Sequence, residues 1–208
     1  MLPGIVLAAG DSLRMGSPKA VLQAPDGRPF VARILATLRI AGIRDLVVVT
    51  GRHHDAVVDV LTREGLREHV IVARNPDPSR GQLSSLWTGM DAFAGAELEG
   101  ILMTLVDVPM TAPATVTAVV DAWTRTRAPI VRPAIGERHG HPVIFDRALI
   151  DELRAAPLAS GAKSVVRAHE HEILNVAVDD EGCLVDVDTK EDYSRMGFTS
   201  PDLRREPR

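Results

Sequence analysis

Ile5-Val6-Leu7-Ala8-Ala9-Gly10-Asp11-Ser12-Leu13-Arg14-Met15-Gly16-Ser17-Pro18-Lys19 begins as a short apolar run, passes through small residues, and ends in a loop with two glycines and two cations. The stretch Gly4 to Leu7 is apolar enough for a strand buried on both faces of a parallel sheet. Ala8, Ala9 and Gly10 put no bulk where the chain turns, so backbone N–H groups can approach an anion closely. Arg14 and Lys19 supply the charge that a polyphosphate needs. The stretch reads as a triphosphate-binding loop, and on these residues alone a strand-to-helix turn with incidental cations stays open beside it. It is neither familiar phosphate motif. Lys19 stands too far beyond Gly10 and follows Pro18, which breaks the P-loop pattern, and no G-x-G-x-x-G is present.

Outward from this loop, strand-like runs alternate with helix-like segments. Phe30 to Ala41 has apolar residues at helical spacing (Val31, Ile34, Leu35, Leu38) and stops at Gly42. Leu46 to Val49, Val70 to Ala73 and Ile101 to Val106 read as further strands. Helices are expected over Ala56 to Leu61, Leu83 to Phe93 and Pro113 to Trp123. Later come short strands at Ile130–Val131 and Val143–Phe145, helices near Ala148–Arg154 and Ala162–His169, and a strand at Ile173–Val178. Repeated strand–helix units predict an α/β fold, a Rossmann-like three-layer sandwich with a mostly parallel sheet. A single domain is expected over residues 1–196, with a polar, mobile tail over 197–208. Ligands in such folds lie beyond the carboxyl ends of the strands, so the loops after these strands should converge on one site.

Composition narrows the function classes. With 208 residues the chain can bury its own core. A net charge of −4 gives no general affinity for nucleic acid or an acidic membrane surface. The single cysteine, Cys183, excludes an internal disulfide framework and a cysteine-based zinc site. No apolar run approaches the roughly 20 residues of a membrane span, and the first ten residues lack a signal-peptide pattern. A soluble, cytoplasmic protein is expected.

Several side chains stand where chemistry could be done. Asp107 closes an apolar strand, where a carboxylate is costly unless paired or metal-bound. It reads as a Mg²⁺ ligand, or as a turn-forming cap before Val108-Pro109. In Val185-Asp186-Val187-Asp188-Thr189, alternation sets both acids on one face of an extended segment, and Thr189 reads as a helix cap. Asn75 to Gly81, followed by Gln82, Ser84 and Ser85, puts small polar groups at a helix N-terminus, either to read a base edge or to cap the helix through Ser84. His139 and His141 alternate, but no third histidine or cysteine lies at metal-ligand spacing.

Leu7 through Lys19 resembles the MobA-like nucleotidyltransferases, whose pattern here is L-A-A-G-x-S/G-x-R-M-G-x-x-K. Similarity continues in order through the Gly81-Gln82 segment, Asp107-Val108-Pro109, Gly140-His141-Pro142-Val143, Ala159 to Ser164, and Asp186 to Thr189. The resemblance implies a nucleotide-diphospho-sugar transferase type of fold and transfer of a nucleotidyl group. It is nearest to molybdenum cofactor cytidylyltransferases: CMP would move from CTP to the phosphate of molybdopterin, with release of pyrophosphate. GTP, another phospho-acceptor, and a nicotinamide-dependent oxidoreductase or binding module on the same fold are the alternatives. It implies catalytic roles for Lys19, Arg14 and Asp107, and nucleotide binding by Leu7, Ala8, Ala9, Gly10, Ser12, Arg14, Lys19, Asn75, Gly81, Gln82, Ser85 and Asp107. His141, Pro142 and Lys163 would bind the acceptor. Lys163 stands where the family has arginine, whose bidentate grip lysine lacks. Asp107 and Asp188 would hold Mg²⁺ (Mn²⁺ as substitute), with Asp186 as understudy. A molybdoenzyme or its chaperone would be the downstream partner.

Overall fold

A computed structural model describes residues 1–11 and 15–197; Ser12, Arg14 and the tail from residue 198 lie outside them. Four parallel strands form the first half of the sheet: β1 (Gly4–Ala8), β2 (Leu46–Thr50), β3 (Ile71–Arg74) and β4 (Gly100–Leu105), in spatial order β3-β2-β1-β4. Side-chain alternation divides their apolar residues between two cores. Val6, Val48 and Leu102 face one side, where α1 (Phe30–Ile40), α2 (His54–Arg63) and α4 (Pro113–Thr126) pack with Phe30, Leu61 and Val119. Ile5, Leu7, Val47, Val49 and Met103 face the other, against Leu83, Leu86 and Met90 of α3 (Gln82–Asp91). Coverage on both faces is why β1, β2 and β4 read as nearly unbroken apolar runs, while β3, at the sheet edge, is more exposed.

The second half departs from the parallel plan. It holds β5 (Ile130–Ile135), the two-residue β6 (Arg138–His139), β7 (Val143–Asp146) and β8 (Ile173–Ala177), with helices α5 (Ile150–Ala155), α6 (Ala162–Ala168) and α7 (Lys190–Arg195). β7 runs antiparallel between β4 and β5, while β8 lies parallel to β5. The sheet is therefore mixed, its parallel majority lying in the first four strands.

Two expectations are corrected here. The strand expected at Ile130–Val131 runs to Ile135, carrying Arg132 and Pro133 within it. Val185 to Thr189 forms no strand; it crosses the sheet edge with one ladder-like bond, from Val187 N–H to the Asp107 carbonyl (2.8 Å). Among the described residues, no helix is long and apolar enough to cross a membrane.

Candidate active site

The parallel strands end along one edge, and their loops enclose a cavity of about 430 Å³, within the range of small-molecule sites. The loop after β1 contributes Leu7, Ala8, Ala9, Gly10 and Asp11. The 78–85 segment contributes Pro78, Ser79, Gly81, Gln82 and Ser85, and the end of β4 contributes Leu105, Val106 and Asp107. Lys19 and Asp188 complete the wall. Asp11, Pro78, Ser79 and Leu105 were not singled out from sequence; their signal was only their position inside the two loops that were.

Lys19, Asp107 and Asp188 meet although 169 positions separate the outer two. The Lys19 ammonium donates to Asp107 Oδ2 (3.0 Å) and Asp188 Oδ1 (2.5 Å). Chain direction explains each arrival. Lys19 opens a short turn, Lys19–Val21, after Pro18. Asp107 follows β4 directly, and its backbone carbonyl holds Val187. Val187 is fully buried, which keeps Asp188 at the surface of the segment. Thr189 then closes a capping box with Asp192 that starts α7, as its position before Lys190 implied.

Asp107 Oδ1 is buried and has no hydrogen-bond partner. A buried, unsatisfied carboxylate oxygen is costly and suits a hard cation. Asp186 is held above the usual carboxylate range, first by loss of hydration and then by the negative charges of Asp107 and Asp188, with Lys19 opposing. Among the described residues no three His, Cys, Asp or Glu side chains gather as a metal cage. A cation bound through Asp107 and Asp188 would take its other ligands from water and phosphate, as Mg²⁺ commonly does.

Behind the cavity wall, Asn75 is buried and braces the start of α3. Its Nδ2 donates to Ser84 Oγ (2.9 Å) and Ser85 Oγ (3.0 Å), and its Oδ1 accepts from Asp77 N–H (3.0 Å). Asn75 is not on the wall itself. Ser84 does not cap the helix: its hydroxyl donates backward to the Gly81 carbonyl (2.7 Å). Gly81 occupies the cap position with φ +94°, a conformation that favours glycine. Ser85 accepts from Asn75, so its hydroxyl proton is left for a cavity ligand.

On the far side, the His141 ring is deeply buried and its Nδ1 has no hydrogen-bond partner. Burial lowers its pKa, opposed by the charge of Asp107 and a bond to the Met103 backbone. Its backbone N–H donates to the Cys183 carbonyl (2.9 Å). Gly140 beside it lies so close to Cys183 that an added Cβ would stand 2.1 Å from the same carbonyl oxygen. Pro142 turns away from the cavity, toward Ile34, Thr37 and Leu38 on the opposite face. Lys163 is exposed on α6 and is not part of the cavity wall.

With this geometry in place, the known proteins it resembles are informative. A family model described as MobA-like NTP transferase domain matches residues 4–173. A nicotine blue oxidoreductase from Paenarthrobacter nicotinovorans is 31% identical over 205 residues, covering 93% of this chain and 95% of that one. A probable molybdenum cofactor guanylyltransferase from Mycolicibacterium paratuberculosis is 27% identical over 164 residues, covering 79% and 78%. The crystal structure of Rv0371c from Mycobacterium tuberculosis superimposes with a TM-score of 0.77 at 31% identity, covering 94% and 96% of the two chains. A structure of the same protein in complex with manganese gives 0.71 at 30% identity, covering 94% and 97%.

Proposed function

The chain belongs to the MobA-like NTP transferase family, and on that premise we propose that it transfers a nucleotidyl group from a nucleoside triphosphate to a phosphorylated acceptor. The observation that carries this reading is the Lys19 ammonium bridging two carboxylates at the cavity end, one of which keeps a buried oxygen unsatisfied. Such a set suits a site that must hold both a cation and a polyphosphate. The loop from Ala8 to Gly10 would approach the triphosphate with backbone N–H groups. Lys19 would lie along its phosphates, and the family resemblance gives Arg14, which is outside the described residues, a share in that role. Ser85, Gly81 and Gln82 would meet the nucleoside. Asp107 and Asp188 would hold the divalent ion, which when bound offsets charge on phosphate oxygens.

The protein's work is then alignment and charge neutralisation. The attacking phosphate of the acceptor is already anionic at neutral pH, so no side chain need remove a proton. The acceptor we propose is molybdopterin, in keeping with the name of the Mycolicibacterium relative. CTP as donor rests on the resemblance of Ser17-Pro18-Lys19 to cytidylyltransferases, while that relative's name favours GTP. The manganese-bound relative supports a divalent ion without choosing Mg²⁺.

A second reading, oxidoreductase chemistry, is favoured by one observation, the name of the Paenarthrobacter relative. Against it, the loop after β1 lacks a dinucleotide fingerprint. Calorimetric titration with CTP, GTP, ATP, UTP and NADPH, each with and without Mg²⁺, separates the readings. Metal-dependent binding of CTP or GTP is the expected result and selects the base. NADPH binding without any triphosphate response would overturn the proposal.

A further inference from the structure

On the side of the sheet that carries α3, β5 and β8 leave a polar patch that the nucleotide site does not use. Ile130 packs into the same core as Leu7, Met103 and α3, so Arg132, two residues on, faces that same side. Arg132 is half-buried within β5. Its Nε donates to Asn175 Oδ1 of the neighbouring β8 (2.9 Å). Among the described residues, that is the hydrogen bond the guanidinium makes, and no carboxylate forms an ion pair with it. The terminal N–H groups of the fork have no protein partner among the described residues. His139 pairs with Ala134 across β6, which sets its ring on the same side as Arg132. The two are close enough that the charge of Arg132 adds to desolvation in lowering the His139 pKa. Burial also lowers the pKa of Arg132 itself, with Glu170 opposing.

Register places this patch relative to the chemistry. Val131 pairs with Ile144 and Met103 with Val143, so Arg132 lies level with Met103, four residues before Asp107, with β7 between β5 and β4. Two strand spacings across the sheet and four residues along it amount to roughly 16 Å between the Arg132 and Asp107 backbones. A phosphate reacting beside Asp107 could thus belong to a molecule whose other end reaches Arg132.

Resting on the transferase reading above, we propose that Arg132, oriented by Asn175 and flanked by His139, selects the acceptor by gripping its far end. The ligand it would take presents two adjacent hydrogen-bond acceptors within roughly 16 Å of the reacting phosphate, as a carboxylate or the lactam edge of a fused heterocycle does. A planar guanidinium held through Nε keeps a parallel pair of terminal N–H groups that matches such a pair.

The probe is 6-carboxypterin, which is fluorescent and carries both a lactam edge and a carboxylate. Wild-type protein should quench it on titration. Arg132→Gln should weaken that binding roughly tenfold or more, the worth of a charged hydrogen-bond pair. Arg132→Lys should fail to restore it, and Asn175→Ala should weaken it less. Binding of CTP or GTP with Mg²⁺ should stay unchanged in all three, because none of these side chains lines the nucleotide cavity. Equal probe affinity in wild type and Arg132→Gln, or no binding by wild type, would overturn this inference while leaving the triphosphate site standing. Loss of triphosphate binding in wild type itself would instead strike the transferase reading.

Discussion

The inner strands β1, β2 and β4 are buried at nearly every position, whereas β8 has no fully buried residue and exposes Asn175 and Ala177. A strand covered on both faces carries almost no charged or exposed polar side chains, so its chemistry has to wait for the loop at its end. Asp107 is that case, one carboxylate directly after β4. A less covered strand can carry polar side chains along its length, as β5 carries Arg132 and β8 carries Asn175. The two halves meet where the C-terminal segment docks on the Asp107 backbone and brings Asp188 to Lys19.

Asp107→Asn tests the first half most severely. It keeps the side-chain volume and removes the ligand charge, so turnover should fall roughly 10²- to 10³-fold with the melting temperature little changed. A folded variant with wild-type turnover would remove Asp107 from the site.

Asn75→Ala tests the same half structurally. It deletes three side-chain hydrogen bonds behind the cavity and leaves buried hydroxyls short of a donor, which should cost about 1–3 kcal/mol. Thermal melting should then shift down by about 2–4 °C for each kcal/mol. An unchanged melting temperature, with weakened nucleotide binding, would return Asn75 to the direct binding role read from sequence.

For the second half, Gly140→Ala is the sharper probe. The new methyl would meet the Cys183 carbonyl backbone, which cannot swing aside as a side chain would. We expect a cost of about 1–3 kcal/mol and weaker metal binding, because the displaced segment leads to Asp188. Unaltered metal affinity would show that Asp188 is placed independently of this contact.

How much was legible in sequence follows the same division. The inner strands were readable because coverage on both faces forces a continuous apolar run. In β5 the run breaks at Arg132-Pro133, so the strand was read as two residues instead of six. The alternation of Val185 to Thr189 was real, with Val187 inward, yet a single backbone bond holds the segment and no ladder forms. The meeting of Lys19 with both aspartates was legible only through the family pattern, since nothing local to any of them specifies partners so distant. Asn75 looked like a ligand-binding residue because a buried brace and a base reader are the same side chain until its partners are known.

The smallest expected effect lies far from the site. His169 joins Glu152 of α5 (2.7 Å) and Glu172 (2.8 Å). Its pKa is raised above 6.5, first by the bond to Glu152 and then by that to Glu172. Its contribution is therefore complete below pH 6.5 and lost as the pH rises through the raised value. His169→Gln should lower stability by under about 1 kcal/mol in acid and by nothing measurable in base. A pH-independent difference in thermal melting would discount the ion pairs.

Manganese binding, followed by electron paramagnetic resonance without nucleotide, tests most directly whether both halves build one site. Asp188→Asn should weaken Mn²⁺ binding, as loss of one of two carboxylate ligands requires. Lys19→Ala should strengthen it, because the ammonium that neutralises both carboxylates is gone. Wild-type Mn²⁺ affinity in Asp188→Asn would contradict the account, leaving the C-terminal segment beside the metal site and no part of it.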